Sequence, residues 1–305
     1  MSSALLKIKR AEKHYSELAD LLATRTAYRY FVETNFKTGM RATFSKKDQG
    51  VVDEAAVIIG DVVHNLRAAI DHIYWDCTSE FAKSDGERRN IQFPITSNKE
   101  AFDKSIRPGL PVRVSELFAD ALGELKPYRE NGNNLLCAIH DLDVMDKHKL
   151  LIPTGNFTKI TSAVLQQKIP DFPSGLVNCG VGNGNRDVAW NVKPMTWTQR
   201  RKAKIPPSNI IEQEVDVPVD LVLNGLNHFV PVLDSLSQLI NVAKEVVDKL
   251  EVAAKEQIAT TSPNKAFKSD SQRLAFLMSS LGFVFTVVWL RFGGSVAHTL
   301  MRRYV

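Results

Sequence analysis

The chain has 305 residues, of which 44% are hydrophobic and 24% are charged. These fractions are typical of a folded protein and exclude a collagen-like or low-complexity chain. Three cysteines without a CxxC pair support neither a disulfide framework nor a structural zinc site. The first residues are charged and contain no apolar core, so no secretory signal is expected. The length predicts roughly two domains.

The net charge of +5 is concentrated at the C-terminal end of the chain. Residues 260–305 contain six basic side chains and one acidic side chain, so the remaining chain is neutral. A basic excess beside an apolar segment favours an anionic membrane surface over a phosphate-binding groove.

Helical patterns dominate the first half of the sequence. Residues 3–35 contain no glycine or proline and predict one long helix, followed by a short strand between Gly39 and Gly50. Three further helices are expected at 51–81, at 114–125, and from Asn133 or Asn134 to about Leu151.

The composition changes at residue 155, where Gly, Pro, Asn, Val, Thr and Trp become frequent. Strands are predicted at 158–165, 187–197 and 210–219, and residues 221–258 are helical again. The basic run at 199–204 follows two tryptophans, a combination that can bind RNA. Because the body has no wider basic excess, a solvated hairpin or loop is the preferred interpretation of this run.

The uncharged segment LAFLMSSLGFVFTVVWL, residues 274–290, predicts a membrane helix, since seventeen residues span about 25 Å. A buried core helix is the alternative. The expected fold is therefore mainly α: a helical bundle with a small β-rich insert or second domain and a C-terminal transmembrane helix. The predicted divisions are a helical domain at 1–153, a β-rich segment at 154–219, a helix packing back on the body at 220–259, a linker at 260–273, a transmembrane helix at 274–292 and a basic tail at 293–305.

The helix that contains IIGDVVHNLRAAIDHIYWD separates into an apolar and a polar side. The apolar stripe consists of Ile59, Val62, Val63, Leu66, Ala69, Ile70 and Ile73. The polar side consists of His64, Asn65, Arg67, Asp71 and His72. Such a side is either simply solvated, with Arg67 and Asp71 as an ordinary i,i+4 pair, or it lines a functional site.

A second polar cluster lies in LLCAIHDLDVMDKHKLL and consists of His140, Asp143, Asp146, Lys147 and His148. If the two helices are neighbours, the two polar groups can converge; a structural polar network or a solvated helix end is the alternative. The histidines of each helix are eight residues apart, about 12 Å of rise, which is too far for one metal ion to bind both. We therefore expect no metal and no small-molecule cofactor.

These motifs resemble a family of uncharacterised bacterial proteins. Its members carry a GDVLHNLRxALDHL-like helix, an FPI segment, a QPY-like turn and a DKHR-L motif, and the resemblance covers residues 51–152. Here Lys126 stands where the family has glutamine, and Lys149 stands where it has arginine. The resemblance implies no reaction.

The sequence from Arg67 to His72 also resembles the R-x4–6-H motif of HEPN-type ribonucleases, which are helical, commonly dimeric and thought to act without metal. The resemblance implies that His72 moves a proton of the ribose 2′-hydroxyl or of the leaving group, and that Arg67 stabilises phosphate charge. Ala68 departs from the polar residue usual there. Five residues also place the two side chains about 140° apart, so a distorted turn or a second copy is needed.

The function predicted from the sequence is a HEPN-like, metal-independent endoribonuclease tethered to the membrane, with its body in the cytoplasm. Its expected partners are the membrane, RNA and a second copy of the chain. Arg67 and His72 are the predicted catalytic pair, supported by His64, Asn65, Asp71, His140, Asp146, Lys147 and His148. The alternatives are a non-catalytic sensor or interaction protein with a structural polar network, and a helical-bundle metal-dependent hydrolase.

Overall fold

The fold is a mixed α/β structure, seen in a computed structural model that describes residues 2–261 except 152, 157–161, 175–187, 218, 224–225 and 227–229. Of the described residues, 58% are helical and 14% lie in strands. The strands form a four-stranded antiparallel sheet and a two-stranded sheet. The predicted fold class, a mainly α bundle with a small β-rich insert, is therefore wrong.

Two long helices form the base of the helical part. Helix α1 (Ser3–Thr24) begins after Ser2, whose side chain accepts a hydrogen bond from the Leu5 amide. Helix α2 (Gln49–Thr78) begins after Asp48, which caps the Val51 amide in the same way. The apolar stripe predicted for α2 is buried along its whole length, because α1 packs closely against this helix.

The predicted helix over 3–35 ends eleven residues earlier, because a strand replaces its last part. Strand β1 (Tyr28–Asn35) has the sequence YRYFVETN and alternates buried and less buried side chains. That period of two, in β-branched and aromatic residues, outweighs the absence of helix breakers. Strand β2 (Met40–Lys47) pairs antiparallel with β1, from Tyr28 opposite Lys47 to Asn35 opposite Met40.

Short helices connect α2 to the second polar motif. A 3-10 turn at Ser79–Phe81 extends α2. The helices that follow are α3 (Asp85–Arg89), α4 (Lys99–Ile106), α5 (Leu110–Val114), α6 (Glu116–Glu124) and α7 (Asn134–Asp146). Asn133 caps α7 through its side chain, as the sequence predicts.

The four-stranded sheet has the order β4-β2-β1-β5, so its two central strands come from the first fifty residues. Its edges are β4 (Val188–Asn191) and β5 (Ile210–Val215), and the two-stranded sheet pairs β3 (Thr154–Asn156) with β6 (Asp220–Val222). Two helices occupy parts predicted as strand or loop: α8 (Ser162–Lys168) and α9 (Trp197–Lys202). The sequence pattern within residues 154–219 does not reveal that β4 pairs with β2 and that β5 pairs with β1.

A second apolar core lies on one side of the sheet. Tyr30 and Val32 of β1 pack there with Leu165, Ile169 and Phe172. Phe172 meets Trp190 of β4 edge-on, with ring centroids 5.4 Å apart. This core therefore joins α8 and the residues after it to the sheet.

Helix α10 (Val232–Thr261) returns to the long helices. Lys244 pairs with Glu12 of α1, and the Cys77 thiol of α2 lies 3.9 Å from the Leu250 carbonyl. The predicted domain boundaries are neither supported nor contradicted by these contacts.

The predicted membrane localisation is wrong, because none of the described helices is both long enough and apolar enough to span a bilayer. The segment for which the membrane helix is predicted, 274–292, lies outside the described residues.

Candidate functional site

The polar side of α2 lies against α7 at a crossing that we call the α2–α7 seam, formed by Gly60, His64, Asp143, Asp146 and Lys147. Gly60 makes the close approach possible, since a Cβ atom there would lie 2.6 Å from both carboxylate oxygens of Asp146. One turn further along α2, His64 Nδ1 lies 3.1 Å from Asp143 Oδ1. The two polar clusters predicted from the sequence therefore meet.

Asp143 is the best-enclosed charge of the seam, with only 2% of its surface exposed. Its Oδ2 accepts a hydrogen bond of 2.6 Å from Lys147 Nζ, one helical turn later, and its Oδ1 faces the His64 ring. A buried carboxylate needs such partners, because desolvation of an unpaired charge is costly. Lys147 and His64 therefore satisfy Asp143 from the solvent side.

Asp146 is less well satisfied than Asp143. Its Oδ1 is buried and has no hydrogen-bond partner among the described groups. Burial raises the pKa of Asp146, although the Leu151 amide donates a hydrogen bond that opposes the change. This carboxyl group thus has a stronger tendency to hold its proton in the fold than in the unfolded chain.

Arg67 is a buried residue on the polar side of α2. Its Nη2 lies 2.9 Å from Asp71 Oδ1 in an ion pair and donates to the Phe93 carbonyl at 3.2 Å, while the Phe93 amide donates to Asp71 Oδ1 at 2.9 Å. Burial lowers the pKa of Arg67, and the charges of Asp71 and Asp143 oppose this effect. The Arg67–Asp71 pair thereby holds the backbone of the FPI segment against α2. We call the contacts among Arg67, Asp71 and the Phe93 backbone the Phe93 latch.

His140 lies on α7 three residues before Asp143, close enough to Arg67 for their charges to interact. Its Nδ1 is buried without a partner among the described groups, and burial followed by the charge of Arg67 lowers its pKa. The ring is therefore held neutral at physiological pH, a state that does not repel the nearby guanidinium.

Two predicted supporting residues lie away from the seam. Asn65 is buried toward α1, where its Oδ1 accepts from Lys7 Nζ at 3.3 Å, and its Nδ2 donates to the Asp61 carbonyl. His148 is exposed in the turn that follows α7, where its amide bonds to the Met145 carbonyl.

His72 belongs to a separate open cleft of about 450 Å³. This His72 cleft is lined by Ser3, Asp71, His72, Trp75, Asp76 and Ile91. His72 Nδ1 is buried and has no partner among the described groups, and the Trp75 ring is 44% exposed. Ser3 of α1 donates to Asp76 Oδ2 at 3.3 Å, so two of the lining residues are joined across α1 and α2.

Trp75 and Asp76 are cleft residues that the sequence analysis missed. Continuing the helical wheel from His64 places Trp75 at about 20°, between Asp71 and His72. A large aromatic side chain among polar ones on a helix was therefore a usable signal. The positions of Ser3 and Ile91 depend on tertiary packing and had no comparable local signal.

The two residues of the predicted catalytic pair lie in different places: Arg67 is part of the Phe93 latch, and His72 lines the His72 cleft. Within the described part of the chain, no hydrogen bond joins the Arg67 guanidinium to the His72 ring; Asp71 alone touches both the Phe93 latch and the cleft. The described residues also contain no group of three or more His, Cys, Asp or Glu side chains placed to hold a metal ion.

Comparisons with family models, with curated proteins and with solved structures found no match.

Proposed function

We propose that the protein is a non-catalytic binding protein whose ligand site is the His72 cleft. The burial of Arg67, bound to Asp71 and to the Phe93 carbonyl, carries this proposal. An arginine that stabilises a reacting phosphate must present its N–H groups to the substrate, whereas this guanidinium is directed into the protein. Arg67 is thus better suited to holding the FPI segment than to chemistry.

The lining of the cleft indicates the class of ligand. Arg67 offsets the charge of Asp71, so the carboxylate of Asp76 gives the cleft a net negative charge. The exposed Trp75 side chain can attract a cation to the face of its ring. A volume of about 450 Å³ suits a small molecule. We infer that the ligand is a small organic cation.

Thermal unfolding with choline, agmatine or spermidine at millimolar concentration tests this site. We expect at least one of these cations to raise the melting temperature of the wild-type protein, because a ligand of the folded state stabilises it by mass action. Trp75→Ala and Asp76→Asn are expected to abolish the rise. The matched controls are Trp197→Ala and Asp20→Asn, which remove an exposed tryptophan and an exposed aspartate elsewhere. No rise with any cation, or a rise that survives both cleft substitutions, contradicts the proposal.

A metal-independent ribonuclease is the second candidate, and the position of His72 in the lining of an open cleft is the observation that favours it. An imidazole in such a position suits general acid–base catalysis. The acidic side chains around it and the buried Arg67 are unfavourable for binding phosphate.

The substitution Arg67→Met tests the structural role that the binding proposal assigns to Arg67. It leaves the Phe93 carbonyl without its donor and Asp71 without its cation, so we expect the free energy of unfolding to fall by about 2–3 kcal/mol. The value is below that for a fully enclosed pair because the Asp71 side chain is 30% exposed. Urea unfolding measures it, and Arg10→Met on the exposed side of α1 is the control.

Cleavage of a labelled RNA by the same preparations completes the test. A binding protein shows no cleavage above that of the His72→Ala variant. Cleavage by the wild-type protein that is lost in both Arg67→Met and His72→Ala, with the fold retained in each, supports the ribonuclease and overturns the binding proposal.

A further inference from the structure

A second surface, outside the cleft, has a strong positive charge. Residues 188–209 contain five basic side chains and no acidic one. Helix α9 lies in the middle of this segment, and its first residue, Trp197, is 63% exposed. We call residues 193–204 the basic platform.

Most cations of the basic platform have no acidic partner among the described residues. Lys193, Arg201, Lys202 and Lys204 are exposed, and none of them pairs with a carboxylate in the part of the chain that the structure describes. Other surface cations of the protein do have such partners, such as Arg129 with Asp141. The platform therefore concentrates positive potential on a body whose other residues carry a net negative charge.

Backbone hydrogen bonds join the start of the platform, and the residues that flank it on both sides, to the turn between β1 and β2. The Val192 amide donates to the Gly39 carbonyl at 2.7 Å, the Met195 amide donates to the Phe36 carbonyl at 2.9 Å, and the Phe36 amide donates to the Asn209 carbonyl at 2.9 Å. Because these bonds already order the backbone of the platform, a ligand that binds there loses less free energy to ordering the chain.

The platform is also ordered internally. Thr196 and Gln199 form a reciprocal capping box at the start of α9, and Arg200 Nη1 donates to the Met195 carbonyl. The Arg201 guanidinium lies over the Trp197 ring, 5.3 Å from its centroid. The ring is thereby held at the surface beside the cations, instead of being folded into the core.

We propose that the basic platform binds single-stranded nucleic acid, with a base stacked on Trp197 and phosphates bound by Arg201, Lys202 and Lys204. Stacking requires a base that is not already paired in a duplex, so a single strand fits better than a double helix. A lipid surface fits less well, because the neighbours of Trp197 in α9 are Thr198 and Gln199 and provide no apolar face for insertion.

Fluorescence anisotropy with labelled twelve-nucleotide oligo-uridine and oligo-thymidine tests the proposal on the whole chain. Trp197→Ala is expected to raise the Kd roughly tenfold, and Trp197→Phe to restore most of the affinity, since stacking depends on an aromatic face. The triple substitution Arg201→Ala, Lys202→Ala and Lys204→Ala is expected to lower the slope of log Kd against log salt by about 2. Binding of either oligonucleotide that is weakened by Trp197→Ala and by the platform triple substitution supports the proposal, and no binding of either oligonucleotide overturns it.

A charge-matched control separates the platform from general positive charge. The triple substitution Lys9→Ala, Arg10→Ala and Lys13→Ala removes the same charge from exposed positions of α1 and is expected to change the Kd by less than about twofold. Equal effects of the two triple variants, no effect of Trp197→Ala, tighter binding of duplex than of single strands, or binding only to phosphatidylserine vesicles each overturns the proposal. Far-UV circular dichroism confirms that each variant is folded.

Discussion

Asp146 is a carboxyl group whose folded surroundings favour its protonated form. Because its pKa is raised in the fold, the folded chain binds a proton more tightly than the unfolded chain does. The contribution of Asp146 to stability therefore declines as the pH rises from the unfolded aspartate pKa, near about 3.9, through the raised value. Above the raised pKa the ionised group destabilises the fold.

We expect Asp146→Asn to make the protein at least as stable as the wild type at pH 7, because the amide removes the charge and keeps an oxygen for the Leu151 amide. The advantage should shrink toward pH 4. Urea unfolding at several pH values measures it, with Asp141→Asn, the exposed partner of Arg129 on the same helix, as the control. A loss of stability at pH 7 in Asp146→Asn alone contradicts this account.

The crossing of α2 and α7 depends on the missing side chain of Gly60. An added Cβ would overlap the carboxylate of Asp146 and force that side chain away. We expect Gly60→Ala to lower the free energy of unfolding by about 1–2 kcal/mol, even after the roughly 1 kcal/mol gain in helix propensity.

Gly123 in α6 provides the matched control for Gly60. The nearest side-chain atom to its added Cβ lies 3.9 Å away, so Gly123→Ala should stabilise the protein by about 0.5–1 kcal/mol. The two substitutions are therefore expected to have opposite signs in the same thermal or urea experiment. A stabilising effect of Gly60→Ala shows that the crossing has room for a methyl group.

The sequence predicts helices more completely than it predicts their surroundings. The α2 stripe follows from a period of 3.6 residues, and the Asn133 cap from a side chain suited to bind a free amide. Strand β1 follows helix α1 without Gly or Pro, so only its alternation distinguishes it. The Arg67–Asp71 spacing predicts the ion pair, but its role in holding Phe93 depends on a chain segment twenty residues away.

Residues 1–253 form one contact unit that includes both the helical part and the sheet. We therefore expect one cooperative unfolding transition, in which tryptophan fluorescence and far-UV circular dichroism coincide. Phe172→Ala in the core beside the sheet should lower the free energy of unfolding by about 3 kcal/mol and move both signals together. Ile59→Ala in the helical core is the counterpart and should do the same. Separate transitions for the two signals contradict a single cooperative unit.

Gly39 has a φ of +78°, and an added Cβ there would lie 2.1 Å from the carbonyl oxygen of Val192. Any other residue at this position would force the hairpin tip away from the strand that leads into α9. A relative of this protein could therefore retain Trp197 and every lysine and arginine around it, yet present them on an untethered loop. The presence of glycine at this position would then be as informative as the presence of the basic side chains about whether a relative binds a polyanion.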